Sequence, residues 1–290
     1  MEILSTPNEA RQFIRSLRVK GIRIGLVPTM GALHAGHLSL VNQSQQACDA
    51  TIATIFVNPT QFAPSEDLSR YPRTLEQDYE MLEAAGVAAV FVPRVESMYP
   101  PGFSTYVDPP EIARTLEGNC RPEHFRGVTT VVMKLFQAVP ADSAFFGKKD
   151  YQQWKVIEAM SRDLDVGVEV VACEIVRESD GLAMSSRNRY LDPSERRRAL
   201  RLSMALKEVE QAISAGERDV ETLQNGMRQV LVSGDGVSQI DYAVIVNADT
   251  LVPLSTLDRP AVALIAARVG QTRLIDNREF CFGSESLSGR

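Results

Sequence analysis

The chain has 290 residues, of which 44% are hydrophobic and 23% are charged, a balance typical of a globular protein. Its formal net charge of −6 argues against broad, nonspecific binding to nucleic acid. The four cysteines, at positions 48, 120, 173 and 281, lack the spacing of zinc ligands, so we expect free thiols.

The N-terminal residues carry no targeting or anchoring pattern. Residues 1–9 have neither the basic segment nor the apolar segment of a secretory signal. No apolar run approaches the roughly 20 residues that a membrane helix needs. We therefore expect a cytoplasmic protein with no membrane partner.

Apolar runs alternate with amphipathic segments over the first two-thirds of the chain. The apolar runs predict strands at 22–27, 51–57, 88–92, 141–146 and 168–173. The segments between them predict helices at 37–49, 75–85, 128–139 and 151–164. Continuous apolar strands between helices indicate a parallel sheet covered on both faces, so the predicted fold is α/β and Rossmann-like. Ligands of such sheets bind beyond the carboxyl ends of the strands.

The pattern changes near residues 185–193. Two amphipathic helices are predicted at 194–215 and 220–232, before strands at 239–247, 261–269 and 272–276. Gly270 and Gln271 predict a hairpin turn between the last two strands. The predicted division is a Rossmann-like domain over residues 1–184 and a smaller α+β lid domain over residues 185–290.

Two of the chain's three histidines, His34 and His37, follow the strand at 22–27 after a glycine-containing turn. This arrangement predicts a strand, a tight loop and a helix N-terminus, where backbone amides and the helix dipole favour a phosphate. An imidazole there can donate a hydrogen bond to a phosphoryl oxygen, more strongly when it is protonated. A purely structural histidine is the simpler explanation of either residue taken alone.

A second candidate segment, Gly147 to Asp150, follows the strand at 141–146. It lacks the spacing of a P-loop, yet Lys149 is placed to neutralise charge on a phosphate. Asp150 is placed to cap the next helix and to accept from a ribose hydroxyl. Lys148 is better explained as a solvated surface lysine.

Two further loops carry polar side chains suited to ligands. Gln61 follows Pro59 at the end of a strand, where its amide can donate to and accept from a small hydroxy acid. The loop from Met184 to Arg187 combines serine hydroxyls with a guanidinium that can bind two phosphate oxygens. Without a ligand, the polar residues of the first loop are explained by ordinary turn chemistry. Those of the second loop are explained by a solvated linker.

Taken together, these residues resemble the pantothenate synthetase (pantoate–β-alanine ligase) family, which is related to the HIGH-type nucleotidyltransferases. The resemblance covers nearly the whole chain, through motifs at residues 27–37, 56–62, 71–74, 124–128, 146–153, 180–190 and 273–277. Within it, Met184 to Arg187 looks like the mobile KMSKS loop, with Ala183 and Ser186 in place of the two lysines. Thr60 and Trp154 also depart from the residues usual in the family.

The resemblance implies an ATP- and Mg²⁺-dependent ligase that acts in two steps as a homodimer. Pantoate attacks the α-phosphorus of ATP to give pantoyl-adenylate and pyrophosphate. β-Alanine then displaces AMP to give pantothenate. Such chemistry needs positioning and charge stabilisation but no enzyme nucleophile.

The resemblance also implies roles for particular residues. His34, His37, Lys149 and Arg187 are the catalytic candidates, with His37 as a proton donor. Gln61 and Gln153 are the candidates for binding pantoate, and Gln61 also for β-alanine. The candidates for the ATP site are Met30, Gly31, Ala32, Leu33, His34, Ala35, Gly36, His37, Gly147, Lys148, Lys149, Asp150, Val176 (through its backbone), Met184, Ser185, Ser186 and Arg187.

Asp78 is a candidate for holding a metal ion through water, although a carboxylate on the exposed surface of a helix is the simpler explanation.

Two other functions fit parts of the sequence pattern. A nucleotidyltransferase that leaves AMP on its product would need more cationic residues for a second phosphate, and the glutamine pair suits an uncharged polyol-acid better. A catalytically silent RNA- or nucleotide-binding module descended from a synthetase is disfavoured by the acidic charge and by the lack of a basic stripe with interleaved aromatic residues.

Overall fold

A computed structural model describes residues 1–64 and 66–281 of the chain, which divides into two compact units. The first unit is Met1–Val176, and the second begins at Arg177. The sequence indicated a boundary a few residues later, after Met184. The difference arises because Arg177 forms an antiparallel bridge with Ala183 and an ion pair with Asp276, so the segment between 177 and 183 belongs to the second unit.

The first unit contains a parallel sheet, as the sequence predicted. Its strands in the described residues are β1 (Glu2–Leu4), β2 (Ile24–Thr29), β3 (Ala50–Ile55), β4 (Ala89–Phe91), β5 (Ser143–Gly147) and β6 (Glu169–Cys173). They lie in the order β1-β4-β3-β2-β5-β6. From β2 the chain proceeds through β3 to β4 on one side and later through β5 to β6 on the other. The strand order therefore reverses between β2 and β5, where ligands bind in sheets of this kind.

Helices of the first unit connect these strands. They are α1 (Pro7–Arg18), α2 (Ala35–Ala47), α3 (Leu75–Ala84), α4 (Val95–Met98), α5 (Glu117–Cys120), α6 (His124–Ala138) and α7 (Tyr151–Asp163). Helix α2 packs against β2 and β5, and α6 packs against α1 and α7. Val27, Leu40, Val41 and Phe145 are buried together in a core cluster beneath the loop that joins β2 to α2. This apolar base holds the two ends of the loop in place.

The second unit is a small α+β structure, again as predicted. It contains α8 (Pro193–Ser214), α9 (Val220–Val232), β7 (Gln239–Asn247), β8 (Ala261–Val269) and β9 (Thr272–Phe280). The three strands form an antiparallel sheet in the order β7-β8-β9, and the predicted hairpin turn at Gly270 and Gln271 is confirmed. Leu206, Met227 and Ile265 belong to a buried core that lies within this unit.

Several elements differ from the prediction at their ends or were missed. Helix α2 begins at Ala35 instead of residue 37, because His34 is its N-cap. Helix α6 begins at His124 instead of residue 128, and β9 continues to Phe280 beyond residue 276. The short elements β1, α4 and α5 and the polar helix α1 were not predicted. Among the described helices, none has the length and apolarity needed to cross a membrane.

Candidate functional site

The loop between β2 and α2 has an unusual backbone that a buried carboxylate holds in place. Gly31 and Ala32 have φ angles of +80° and +51°, in the left-handed region that glycine tolerates and alanine resists. Asp78, in the first turn of α3, accepts the amide hydrogens of Ala32 at 3.0 Å and Leu33 at 2.9 Å. These hydrogen bonds offset the strain at Ala32, so Asp78 sets the path of the loop.

The surroundings of Asp78 do not fit direct ligation of a metal ion. Both carboxylate oxygens accept from the loop amides, and the Thr74 hydroxyl also donates to Oδ1 at 3.1 Å. Asp78 is buried, so the simpler expectation of an exposed helix carboxylate is wrong. No group of three or more His, Cys, Asp or Glu side chains that could hold a metal occurs in the part of the chain that the structure describes. A water-mediated metal contact of Asp78 stays a prediction.

His34 and His37 cap the start of α2 for each other. The Nδ1 atom of His34 accepts from the Gly36 amide at 3.1 Å, and Nδ1 of His37 accepts from the His34 amide at 3.3 Å. The ring centroids lie 4.1 Å apart. A ring nitrogen that accepts carries no proton, so each neutral imidazole has its proton on Nε2. Capping therefore turns the two side chains into Nε2–H donors.

His37 is neutral at physiological pH. Burial, followed by the repulsion that a protonated His34 would exert and by the charge of Lys149, lowers the pKa of His37 from 6.5 to about 3. The structure therefore offers a neutral hydrogen-bond donor at pH 7, whereas the sequence had also suggested the stronger donation of a protonated imidazole. Lys149 follows β5 and the histidines follow β2, and these neighbouring parallel strands end at the same edge of the sheet, which agrees with the contribution of Lys149 to this pKa.

Lys149 reaches this position because β5 is the neighbour of β2 in the sheet. Lys148–Asp150 forms a turn of 3₁₀ helix. This turn directly follows β5, and the sequence had predicted that the segment follows a strand. Lys149 Nζ lies 3.6 Å from Asp150 Oδ1, and Lys148 Nζ lies 2.6 Å from Glu174 Oε1. Asp150 occupies the N-cap position of α7, but its side chain makes no capping hydrogen bond. The capping role predicted for Asp150 is therefore wrong.

Gln61 lies beside the loop that contains the histidines. It ends the short 3₁₀ helix Pro59–Gln61, and its side chain is buried. Gln61 Oε1 accepts from Asn58 Nδ2 at 3.0 Å, and Gln61 Nε2 donates to Met30 Sδ at 3.4 Å. A glutamine predicted to bind pantoate thus touches a residue of the predicted ATP loop.

His124 and Arg121 contact the backbone of Gln61. Neither residue was included in the predicted site. His124 Nδ1 lies 2.9 Å from the Gln61 carbonyl oxygen, and Arg121 Nη2 lies 3.4 Å from the same oxygen. Burial, followed by the charge of Arg121, lowers the pKa of His124 to about 4, so this imidazole is neutral. Because the carbonyl oxygen only accepts, Nδ1 of His124 carries the proton. His124 was quoted in the family motif, but its neighbour in space was unknown.

Helix α6 approaches the same turn closely at Gly127. A Cβ atom added there would lie 2.4 Å from the Thr60 carbonyl oxygen and 2.6 Å from the Gln61 amide nitrogen. Any side chain at this position would push against the backbone of the turn. The hydrogen at Gly127 therefore lets α6 support Gln61 directly.

The two adjacent glutamines on α7 have different roles. Gln152 is buried and donates to the carbonyl oxygens of Ile112 and Thr115 at 2.9 and 2.8 Å. The side chain of Gln153 has no hydrogen-bond partner among the described residues. Gln152 is therefore structural, and the role of Gln153 in binding a ligand stays a prediction. Trp154 follows, buried with its ring edge-to-face against Tyr151 at 5.1 Å.

The loop from Met184 to Arg187 forms a group of its own in the second unit. Ser185 Oγ accepts from the Arg187 amide at 3.3 Å and begins the 3₁₀ helix Ser186–Tyr190. Asn188 Nδ2 donates to Glu178 Oε1 at 2.6 Å and to the Ala183 carbonyl oxygen at 3.1 Å. These bonds tie both ends of the loop to the segment that starts at Arg177.

Arg177 anchors that segment to the sheet of the second unit. Its guanidinium pairs with both oxygens of Asp276 on β9, at 2.7 and 2.9 Å. It also donates to the Gly181 carbonyl oxygen at 3.1 Å. Neither Arg177 nor Asp276 was among the predicted site residues, because a pairing across 99 positions leaves no local signal in the sequence.

Comparisons with known proteins agree with this architecture over nearly its full length. A family model described as pantoate-beta-alanine ligase matches residues 2–279. The pantothenate synthetase of Rhodopirellula baltica is 55% identical over 282 residues, which cover 96% of this chain and 99% of that protein.

Solved structures give the same result. The crystal structure of pantothenate synthetase from Thermus thermophilus superposes with a TM-score of 0.91 at 43% identity, covering 96% of this chain and 99% of that one. The pantoate-beta-alanine ligase of Francisella tularensis, solved in complex with beta-gamma ATP and beta-alanine, superposes with a TM-score of 0.79 at 33% identity. That match covers 96% of this chain and 97% of the other.

Proposed function

Because this chain belongs to the pantoate–β-alanine ligase family, we propose that it uses ATP to condense pantoate with β-alanine through a pantoyl-adenylate intermediate. The products are pantothenate, AMP and pyrophosphate. The relative from Francisella tularensis was solved in complex with beta-gamma ATP and beta-alanine, which supports ATP and β-alanine as two of the three substrates.

The reciprocal capping of His34 and His37 is the observation that carries this proposal. The two rings accept at Nδ1 from the amides of His34 and Gly36 at the start of α2, which leaves the ring protons on Nε2. The positive end of the helix is thereby extended through the rings toward a ligand. Two fixed, neutral donors suit the oxygens of a triphosphate, whose charge is redistributed as the α-phosphorus is attacked.

In the first step, a carboxylate oxygen of pantoate forms a bond to the α-phosphorus of ATP. The bond from that phosphorus to the bridging oxygen breaks, and pyrophosphate leaves. Gln61 and Gln153 hold pantoate, while Lys149 offsets phosphate charge beside the histidines. His37 donates a hydrogen bond and keeps its proton, in place of the proton donor that the family resemblance implied. Its low pKa supports this assignment.

In the second step, the amine nitrogen of β-alanine bonds to the acyl carbon of the adenylate. AMP leaves with the electron pair of the broken acyl–oxygen bond, and the amine loses a proton to solvent. Gln61 is proposed to contact β-alanine as well. In the second unit, Ser185, Ser186 and Arg187 supply further donors for phosphate oxygens, on a loop that Arg177 holds at its base.

Mg²⁺ is proposed to accompany ATP, bound mainly by phosphate oxygens and water. Its chemistry when bound is charge neutralisation on the triphosphate. The two oxygens of Asp78 are engaged by the loop, so no step is assigned to that residue. We also propose a homodimer, as the family resemblance implies, and a cytoplasmic location, as expected from the sequence.

The first experiment is ATP–pyrophosphate exchange with pantoate present and β-alanine omitted. Exchange that requires pantoate supports the adenylate intermediate, because only a reversible first step returns labelled pyrophosphate to ATP. Absence of exchange, with AMP formed only after β-alanine is added, would overturn the two-step order. Absence of both exchange and AMP would overturn the choice of pantoate.

A matched pair of variants tests the assigned lysine. Lys149→Met removes a positive charge beside the histidine pair and should reduce exchange by about 10²-fold, as for other groups that stabilise developing charge. Lys20→Met removes the same charge from an exposed position after α1 and should leave exchange unchanged.

A further inference from the structure

Asn58 lies between Gln61 and Tyr99, and backbone groups fix the orientation of its side-chain amide. Its Oδ1 accepts from the Thr60 amide at 3.4 Å, and its Nδ2 donates to the Gly127 carbonyl oxygen at 3.1 Å. A backbone amide only donates and a backbone carbonyl only accepts. The two ends of the Asn58 amide therefore cannot be exchanged without losing both bonds.

The orientation of Asn58 determines that of Gln61. Asn58 Nδ2 also donates to Gln61 Oε1 at 3.0 Å, so Gln61 turns its Nε2 toward Met30 Sδ. A thioether is a weak acceptor, and the second hydrogen of Nε2 has no partner among the residues described. Gln61 thus presents N–H donors, and a ligand must place an acceptor oxygen opposite them.

Tyr99 lies at the far end of this chain of hydrogen bonds. Its hydroxyl donates to Asn58 Oδ1 at 2.8 Å, the shortest of the three bonds recorded at that oxygen. Burial raises the pKa of Tyr99, so the phenol keeps the proton that it donates. Its ring packs edge-to-face against Phe103 at 5.0 Å, which holds the hydroxyl in place.

We propose that Tyr99 is a positioning residue for the ligand-binding amide of Gln61 and acts on it through Asn58. By donating to Oδ1, Tyr99 polarises the Asn58 amide and strengthens the bond from its Nδ2 to Gln61 Oε1. This inference rests on the proposed function only in naming pantoate as the ligand whose oxygen Gln61 binds. Tyr99 follows the four-residue helix α4, far from Gln61 in the sequence, so no local motif connects the two.

The first test measures the effect of Tyr99 on Gln61 through Asn58, here called the relay, in the absence of substrate. In the full chain labelled with ¹⁵N, the side-chain NH₂ signals of Gln61 are identified by their loss in Gln61→Ala. Tyr99→Phe removes only the hydroxyl and should shift these signals. Tyr106→Phe removes a hydroxyl from an exposed ring of the same aromatic cluster and should leave them unchanged. Unshifted Gln61 signals in Tyr99→Phe would overturn the proposal.

The second test is a double-mutant cycle on the KM for pantoate in ATP–pyrophosphate exchange. Tyr99→Phe should raise this KM about five-fold, the factor that one net hydrogen bond carries, with kcat and the KM for ATP unchanged. In a Gln61→Ala background the same substitution should have no effect, because Tyr99 acts through Gln61. Tyr106→Phe again serves as the control.

The outcomes separate the two proposals. An equal rise of the pantoate KM in both backgrounds would mean that Tyr99 acts by another route and would overturn the relay. If the unsubstituted chain shows neither exchange nor AMP release with pantoate, the proposed function fails. The Gln61 signals then still decide the relay by themselves.

Discussion

Asp78 Oδ1 accepts the amide hydrogen of Leu33 at 2.9 Å, joining α3 to a loop 45 positions earlier in the chain. The companion bond from Ala32 places both carboxylate oxygens beneath a backbone that has two consecutive positive φ angles. The loop that presents His34 therefore depends on a buried charge from another helix. Its conformation is a tertiary property and does not follow from the loop sequence alone.

Asp78→Asn should destabilise this loop. The amide NH₂ would face a backbone N–H where a carboxylate oxygen now accepts, leaving a buried donor unsatisfied at about 1–3 kcal/mol. We expect the free energy of unfolding by urea to fall by that amount. We also expect slower ATP–pyrophosphate exchange. Glu76→Gln removes the same charge from an exposed site in the first turn of α3 and is the control. Equal stability of the two variants would contradict the role of Asp78.

His37→Ala should lower kcat for ATP–pyrophosphate exchange by about 10²-fold, the usual loss on deleting one donor that stabilises developing charge. The fold should persist, because only the bond to the His34 amide is lost from the cap. Gln46→Ala, at an exposed position on the same helix, should keep the kcat of the unsubstituted chain. Normal turnover by His37→Ala would refute its phosphate role.

The protein should lose stability as the pH falls from about 6.5 toward 5. In the unfolded chain a histidine takes up a proton near pH 6.5, whereas the pKa values of His37 and His124 are lowered to about 3 and about 4 in the folded state. The unfolded state therefore binds more protons in this range. The stability is fully present above pH 6.5 and declines as the pH falls toward the folded pKa values.

The measurement is the free energy of unfolding by urea at pH 7 and pH 5. For buried His124 the expected loss at pH 5 is about 1–2 kcal/mol. His124→Gln should reduce the difference between the two pH values by that amount. A difference that is the same with and without His124 would show that this histidine is not the group that titrates.

Gly127→Ala should displace the turn that carries Gln61. The new Cβ would meet backbone atoms of Thr60 and Gln61 at 2.4–2.6 Å, and overpacking of this kind costs about 1–3 kcal/mol. We expect a pantoate KM raised by about ten-fold or more in exchange assays. Gly226→Ala in α9, where a Cβ meets nothing within 4 Å, should instead stabilise the chain slightly. A pantoate KM that is the same in both variants would disprove the close approach.

Sequence patterns predicted the main elements because apolar strands buried on both faces differ plainly from the amphipathic helices between them. They missed β1, which has three residues, and α1, in which only Ala10 and Ile14 are buried. Elements with so little apolar surface owe their structure to neighbours distant in the chain. The start of α6 at His124 was predicted four residues too late for another reason, because His124, Arg126 and Gly127 interrupt the apolar pattern although this first turn is largely buried.

The site was predictable to a different extent. The turn after β2 correctly placed His34 and His37 at the start of a helix, although that helix was predicted to begin at His37 and His34 is in fact its N-cap. Their proton positions could not be predicted, because these depend on which backbone amide each Nδ1 meets. Asp78 was misjudged as exposed, since the periodicity of α3 does not reveal that a loop covers it.

Trp154 is the single tryptophan of the chain and directly follows Gln153 on α7. Its indole nitrogen is buried and has no hydrogen-bond partner in the described structure. Fluorescence excited in the indole band thus reports on one place in the molecule, next to a proposed pantoate contact. The chain carries its own optical probe, and ligand titrations can be followed without attaching a dye.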